Sequence, residues 1–147
     1  MYHDTRPFTA SSPVATVLPG FELRKRRGRT AYQRGLAAEQ SVENRYVAAG
    51  ATVVGRRVRT PHGELDLILQ DGDFLVFVEV KARRRSYAMD SPISATQWQR
   101  LKNAVLHYMF SAHSQTGVQP ACRFDVALVD TSGTVTVHEN ACGFDEH

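Results

Sequence analysis

A chain of 147 residues, 42% apolar and 22% charged, has the size and composition of one globular domain with a buried core. A formal charge of +3 favours a polyanionic partner, and two cysteines, Cys122 and Cys142, with neither CxxC spacing nor a histidine cluster beside them, exclude a zinc site and a disulfide framework. The amino-terminal segment lacks a basic stretch followed by a continuous apolar core, and no apolar run nears the roughly 18 residues of a membrane span, so the expectation is a cytoplasmic protein with no membrane partner.

Residues 1 to about 20 hold Pro7, Pro13 and Pro19 among Ser and Thr, which reads as a disordered tail. FELRKRRGRT follows, where Arg24, Lys25, Arg26, Arg27 and Arg29 place five basic residues in six positions. Such a run is either a solvated charge cluster or an arm that tracks a phosphate backbone. The expected organisation is therefore a disordered basic tail over 1–29 and one domain over 30–147. From Thr30 to Ala49 the spacing is helical, with Thr30 as N-cap and Gly50 as the stop. Tyr32, Leu36, Val42, Tyr46 and Val47 form its apolar stripe. Glu39 and Glu43 both fall on or near that stripe, and the pattern leaves open which of them points inward.

ATVVGRRVRT (51–60) reads as a strand, closed by Pro61-His62-Gly63. Two strands over 64–70 and 74–82 follow, then a helix from Ser94 to Ala112 with Trp98, Leu101, Val105, Tyr108 and Met109 toward the core. RFDVALVD (123–130) and TVTVHEN (134–140) flank a Thr131-Ser132-Gly133 turn as a final strand pair. LVFVEV is apolar at nearly every position, as a central strand covered on both faces should be. The order implies an α/β fold, and the lack of a Gly-rich phosphate loop argues against a doubly wound nucleotide-binding fold.

GELDLILQDGDFLVFVEVKARRR sets Glu64, Asp66, Glu79 and Lys81 within apolar runs. A two-residue Asp71-Gly72 loop would pair Leu69 with Phe74, Asp66 with Phe77 and Glu64 with Glu79. All four charges then project to one side, with Asp66 and Glu79 as diagonal neighbours about 7–8 Å apart between Cα atoms. Two carboxylates on a partly dry face repel unless a cation lies between them, and Mg²⁺ suits that role. Lys81 points to the same place, where an ammonium could orient a water nucleophile or offset charge on a phosphorane-like transition state. An ion-pair cluster at a sheet edge is the structural alternative, but acidic residues are costly in apolar strands and the set together favours function.

Asp66, twelve intervening residues and Glu79-Val80-Lys81 resemble the PD-(D/E)XK, restriction-endonuclease-like, nuclease superfamily. Within it the chain resembles the YraN-like bacterial family, related in fold to Holliday-junction resolvases. RGLAAEQ (34–40), HGELDLILQDG (62–72), FVEVKAR (77–83) and CRFDVALV (122–129) carry the likeness. It implies a single domain with a mixed central sheet flanked by helices, and divalent-metal-dependent hydrolysis of DNA with Mg²⁺ or Mn²⁺ as cofactor. It also implies Asp66, Glu79 and Lys81 as catalytic residues, and Glu39, Asp66 and Glu79 as metal ligands. Three positions depart from the expected pattern: Arg57 for Asn, Ala88 for Gly and Gln97 for Lys.

Two functions from different classes follow. One is a metal-dependent endonuclease on DNA, with branched or single-stranded forms as candidate substrates and Arg24, Lys25, Arg26, Arg27, Arg29, Arg83, Arg84 and Arg85 tracking phosphates. The other is a non-catalytic nucleic-acid-binding module that keeps the nuclease fold, which the three departures motivate. A hydrolase of small phosphorylated substrates, with His62 as base, has no phosphate-gripping loop to support it. A homodimer is compatible with the resemblance, but no sequence feature marks an interface.

Overall fold

In the computed structural model, which describes residues 19–82, 93–113 and 117–141, the first helix, α1, spans Pro19–Ala48. It therefore runs through 19–29, a segment whose composition reads as disordered, and Thr30 lies inside it and not at its start. Leu, Arg, Lys and Glu are good helix formers, Pro suits the first helical position, and extending an established helix is cheap compared with nucleating one. The interior Gly28 costs only about 1 kcal/mol against that. At the other end Gly50 terminates the helix at φ 105°, with its N–H bonded to Val47 O and that of Ala51 to Tyr46 O, the two bonds of a Schellman cap.

Five strands follow the expected order: β1 (Thr52–Thr60), β2 (Gly63–Asp71), β3 (Phe74–Ala82), β4 (Ala121–Val129) and β5 (Val135–His138), with α2 (Ala95–His113) between β3 and β4. The sheet runs β1-β2-β3-β4-β5, antiparallel throughout except for the parallel β3–β4 pair that α2 connects. Ser94 caps α2, its Oγ accepting from Gln97 N–H at 3.2 Å. β3 lies at the centre, and Leu75 through Val78 are buried on both of its faces.

Each face is covered by one helix. Under α2, Leu101, Ala104, Val105 and Met109 pack on Ile68, Phe77, Phe124 and Val126, with Trp98 and Tyr108 beside them. Under α1, Ala38, Val42 and Tyr46 pack on Leu67, Leu69, Val76, Val78 and Ala127. The buried stripe of α1 is thus Ala38-Val42-Tyr46, one residue every four. Tyr32, Leu36 and Val47, which the apolar pattern assigns to the stripe, are 60%, 40% and 47% exposed. A small alanine lets the helix approach the sheet closely, and that approach rotates the larger residues to its flanks.

One buried polar cluster pins α1 to the sheet. Asp125 on β4 is fully buried. It accepts from Tyr46 Oη (2.6 Å), Arg123 Nε (2.9 Å), Arg123 Nη2 (3.1 Å) and the Asn140 backbone N–H (3.0 Å). Burial first, and Asp125 second, push the Tyr46 hydroxyl far above its ordinary pKa, so it stays a donor. Removing the carboxylate strands the Tyr46 hydroxyl and leaves Arg123 only Asp71, 3.5 Å away, so Asp125→Ala is expected to lower stability in urea by about 3–5 kcal/mol. Tyr46→Phe, losing one bond to a charged acceptor, is expected to cost about 1.5–3 kcal/mol. An Asp125→Ala loss no larger than that of an exposed substitution would remove the pin from the account.

Candidate metal and nucleic-acid site

The β2–β3 hairpin sets the site, and its register is two residues from the expected one. Asp71 pairs with Phe74, Leu69 with Val76 and Leu67 with Val78, so the loop residues are Gly72 and Asp73. Gly72 adopts φ 57° at the first loop position, the type II′ pattern, and Gln70 Nε2 braces its carbonyl at 2.7 Å. Because the shift is even, no side chain changes face. Its effect is to bring Asp66, one step past the Leu67–Val78 pair, directly opposite Glu79 instead of diagonal to it.

The alternation of faces also breaks at that point. Leu65 and Ile68 both pack under α2, whereas Leu67 and Leu69 pack under α1, so one residue between Leu65 and Leu67 is out of step. On the facing strand, Arg56 pairs with Leu67 and Val58 with Leu65, leaving Arg57 opposite Asp66. Arg57 has φ 46°, a left-handed conformation that a non-glycine residue adopts at a cost of about 1–3 kcal/mol. Asn tolerates it better, which gives a physical reason for the Asn that the resemblance expects there.

This irregularity turns Asp66 into a cleft under α1 that Leu36, Glu39, Glu43, Arg56 and Arg57 also line. Its Oδ2 accepts from the Val80 backbone N–H at 2.9 Å. The Asp66 carboxyl lies beside that of Glu79, close enough to feel its charge. Burial first, then the charge of Glu79, then more weakly that of Glu39, raise Asp66 from its ordinary 3.8 to about 7, against the opposing pull of the Val80 N–H. Glu79 is buried, with Lys81 Nζ 3.2 Å from its Oε1. Gln97 of α2 donates to the same oxygen at 3.4 Å.

Asp66, Glu79 and Lys81 therefore converge as their pattern implies. Glu64 does not join them as a fourth member of one row: it is exposed, beyond the break in alternation. Glu39 reaches the same cleft but is engaged by Arg57, whose Nε and Nη2 donate to its two oxygens at 2.8 and 3.2 Å. Glu43, the other candidate on that helix, is held by Arg56 in the same two-pronged way. Among the described residues, no three His, Cys, Asp and Glu side chains converge as a ready-made metal cage. His62 stands apart, edge-to-face with His107 at 5.9 Å between ring centroids.

Two contributors escape a reading of the sequence. Gln97 registers there only as a departure from Lys, yet it contacts Glu79. Tyr32 reads as core, yet its ring lies 5.3 Å from the Arg57 guanidinium and its hydroxyl accepts from Arg57 Nη1 at 3.4 Å. The seven-residue spacing from Tyr32 to Glu39, two helical turns, is the signal that links them. Of the basic residues expected to meet phosphate, Arg29 is exposed on α1. The side chains of Arg24, Lys25, Arg26 and Arg27, and all of Arg83, Arg84 and Arg85, lie outside the described residues.

Comparison with known proteins places these features in a lineage. Residues 38–129 match the uncharacterised protein family UPF0102, a span that runs from α1 to the end of β4. A UPF0102 protein of Ruegeria sp. strain TM1040 is 39% identical over 117 residues, covering 80% of this chain and 93% of its own. Another, from Ruegeria pomeroyi, is 41% identical over 117 residues, covering 80% and 94%. The solved structure of Pyrococcus furiosus SfsA in complex with Ca²⁺ overlaps 74% of this chain and 63% of its own, with 14% identity and a TM-score of 0.33. Among the described residues no helix is long and apolar enough to cross a membrane. The chain belongs to the UPF0102 family, and with it to the restriction-endonuclease-like superfamily.

Proposed function

We propose that this protein is a Mg²⁺- or Mn²⁺-dependent nuclease that hydrolyses phosphodiester bonds in DNA. The observation that carries the reading is the buried contact between Asp66 and Glu79, two carboxyls that meet with Lys81 beside them. Hard divalent cations take oxygen ligands and are often held by one or two carboxylates together with substrate phosphate, so the pair fits such an ion. Asp66 and Glu79 would hold it, and it would supply charge stabilisation at the phosphoryl group. Lys81, fixed by Glu79, is placed to orient a water toward phosphorus and to offset charge that develops there. Val80 N–H fixes Asp66 from the main chain, and Gln97 steadies Glu79 from α2. The basic run on α1, with Arg83, Arg84 and Arg85, would track neighbouring phosphates.

One observation favours the second reading, a nucleic-acid-binding module without catalysis: Glu39, the α1 carboxylate expected to join the metal site, is tied to Arg57. Incubation with single-stranded, duplex and four-way-junction DNA in Mg²⁺ or Mn²⁺ separates the two. Cleavage that drops at least about a hundredfold in Glu79→Ala supports the nuclease, since that is the scale of losing one transition-state contact. DNA binding without any cleavage supports the module instead.

The carboxyl pair also predicts a pH dependence. Asp66 binds its proton more tightly folded than unfolded, so its contribution to stability is full below about pH 4 and is lost as pH rises toward 7. Metal-free protein is expected to lose on the order of 2–4 kcal/mol between those limits. Asp66→Asn should flatten the slope, and millimolar Mn²⁺ should restore stability at pH 8 in the parent protein only. Urea titrations at pH 5 and pH 8 check this, and an unaltered slope in Asp66→Asn would speak against it. For the basic run, replacing Arg24, Lys25, Arg26 and Arg27 with Gln should reduce the salt slope of duplex binding by as much as about 3–4, and an unchanged slope would exclude the arm.

A further inference from the structure

The cations around the acidic cleft are unequally shared. Lys81 serves Glu79 and Arg57 serves Glu39, whereas Asp66 meets a backbone N–H and a second carboxyl. Arg57 takes up both oxygens of Glu39 and lies 5.3 Å from the Tyr32 ring centroid. A carboxylate bound in this two-pronged manner has one lone pair of each oxygen directed at the guanidinium and its charge offset, so it binds a metal ion in the cleft less strongly. The strained φ of 46° at Arg57 places this guanidinium here, in a strand where a regular residue would point elsewhere.

We propose that Arg57 is a latch on the metal site: its guanidinium withholds Glu39 from Asp66 and Glu79, and competes with a divalent cation for that carboxylate. The site then has two states. With the latch closed, Asp66 and Glu79 stand as a pair and Arg57 neutralises Glu39. With it open, Glu39 joins Asp66 and Glu79 and the guanidinium is free, its planar donors suited to a substrate phosphate. The inference rests on the nuclease reading for the location of the metal, but it concerns affinity and not turnover.

Mn²⁺ binding by calorimetry, with no DNA present, tests it. Arg57→Asn is the main variant, because Asn accepts the left-handed backbone, and Arg57→Gly is the second should Asn not fold. The expected result is Mn²⁺ affinity about tenfold higher than in the parent, the effect of one charge-assisted pair. Adding Glu39→Gln to Arg57→Asn should remove that gain, whereas Arg56→Asn, which frees only Glu43, should give none. Affinity in Arg57→Asn that is unchanged or lower, while Asp66→Asn still abolishes binding, overturns the latch and leaves the nuclease reading standing. An equal gain in Arg56→Asn also overturns it, because net charge alone then explains the effect. If neither the parent nor Arg57→Asn binds Mn²⁺, both the latch and the metal site fail.

Discussion

Two carboxyls brought side by side in a largely buried place are the constraint around which this molecule is arranged. Asp66 and Glu79 come from adjacent strands, one step past the last Leu67–Val78 pair, and burial with the charge of Glu79 raises Asp66 to about 7. A fold that only had to be stable would place hydrophobes at both positions, as it does at Leu67 and Val78 one step along. The strands pay for the charged pair with an irregularity, Arg57 at positive φ and a missed alternation next to Asp66. A second irregularity, a register shift between Val53 and Gly55, lies further along β1, and the Tyr46–Asp125–Arg123 cluster fixes α1 over the sheet.

The polar groups around this pair come from three layers. Lys81 approaches along β3 itself, Gln97 from the first turn of α2, and Arg57 with Glu39 from the α1 side. Each helix therefore contributes something different: Gln97 of α2 donates to Glu79, while Glu39 of α1 is paired with Arg57. Among the described residues, Asp66, Glu79 and Lys81 come together without a finished three-carboxylate cage.

Much of this arrangement is legible in the sequence where a regular period carries it. LVFVEV declares a central strand because only a strand covered on both sides is apolar at consecutive positions, and the Trp98-to-Met109 stripe places α2. The Asp66 and Glu79 convergence survives a wrong choice of loop residues, since the true register differs by an even step. Three things were not legible. The helical extension to Pro19 is a matter of propagation from α1, which composition alone masks. The exposure of Tyr32 and Leu36 follows from how closely Ala38 lets the helix approach the sheet. The break between Leu65 and Leu67 depends on the φ of Arg57, and no two-residue period can announce its own interruption.

The most direct measurement is an anomalous difference map from crystals grown in Mn²⁺ at pH 8. The account predicts a single strong peak at about 2.0–2.3 Å from carboxylate oxygens of both Asp66 and Glu79. A map with no peak there, and with the two carboxyls still side by side, would contradict it.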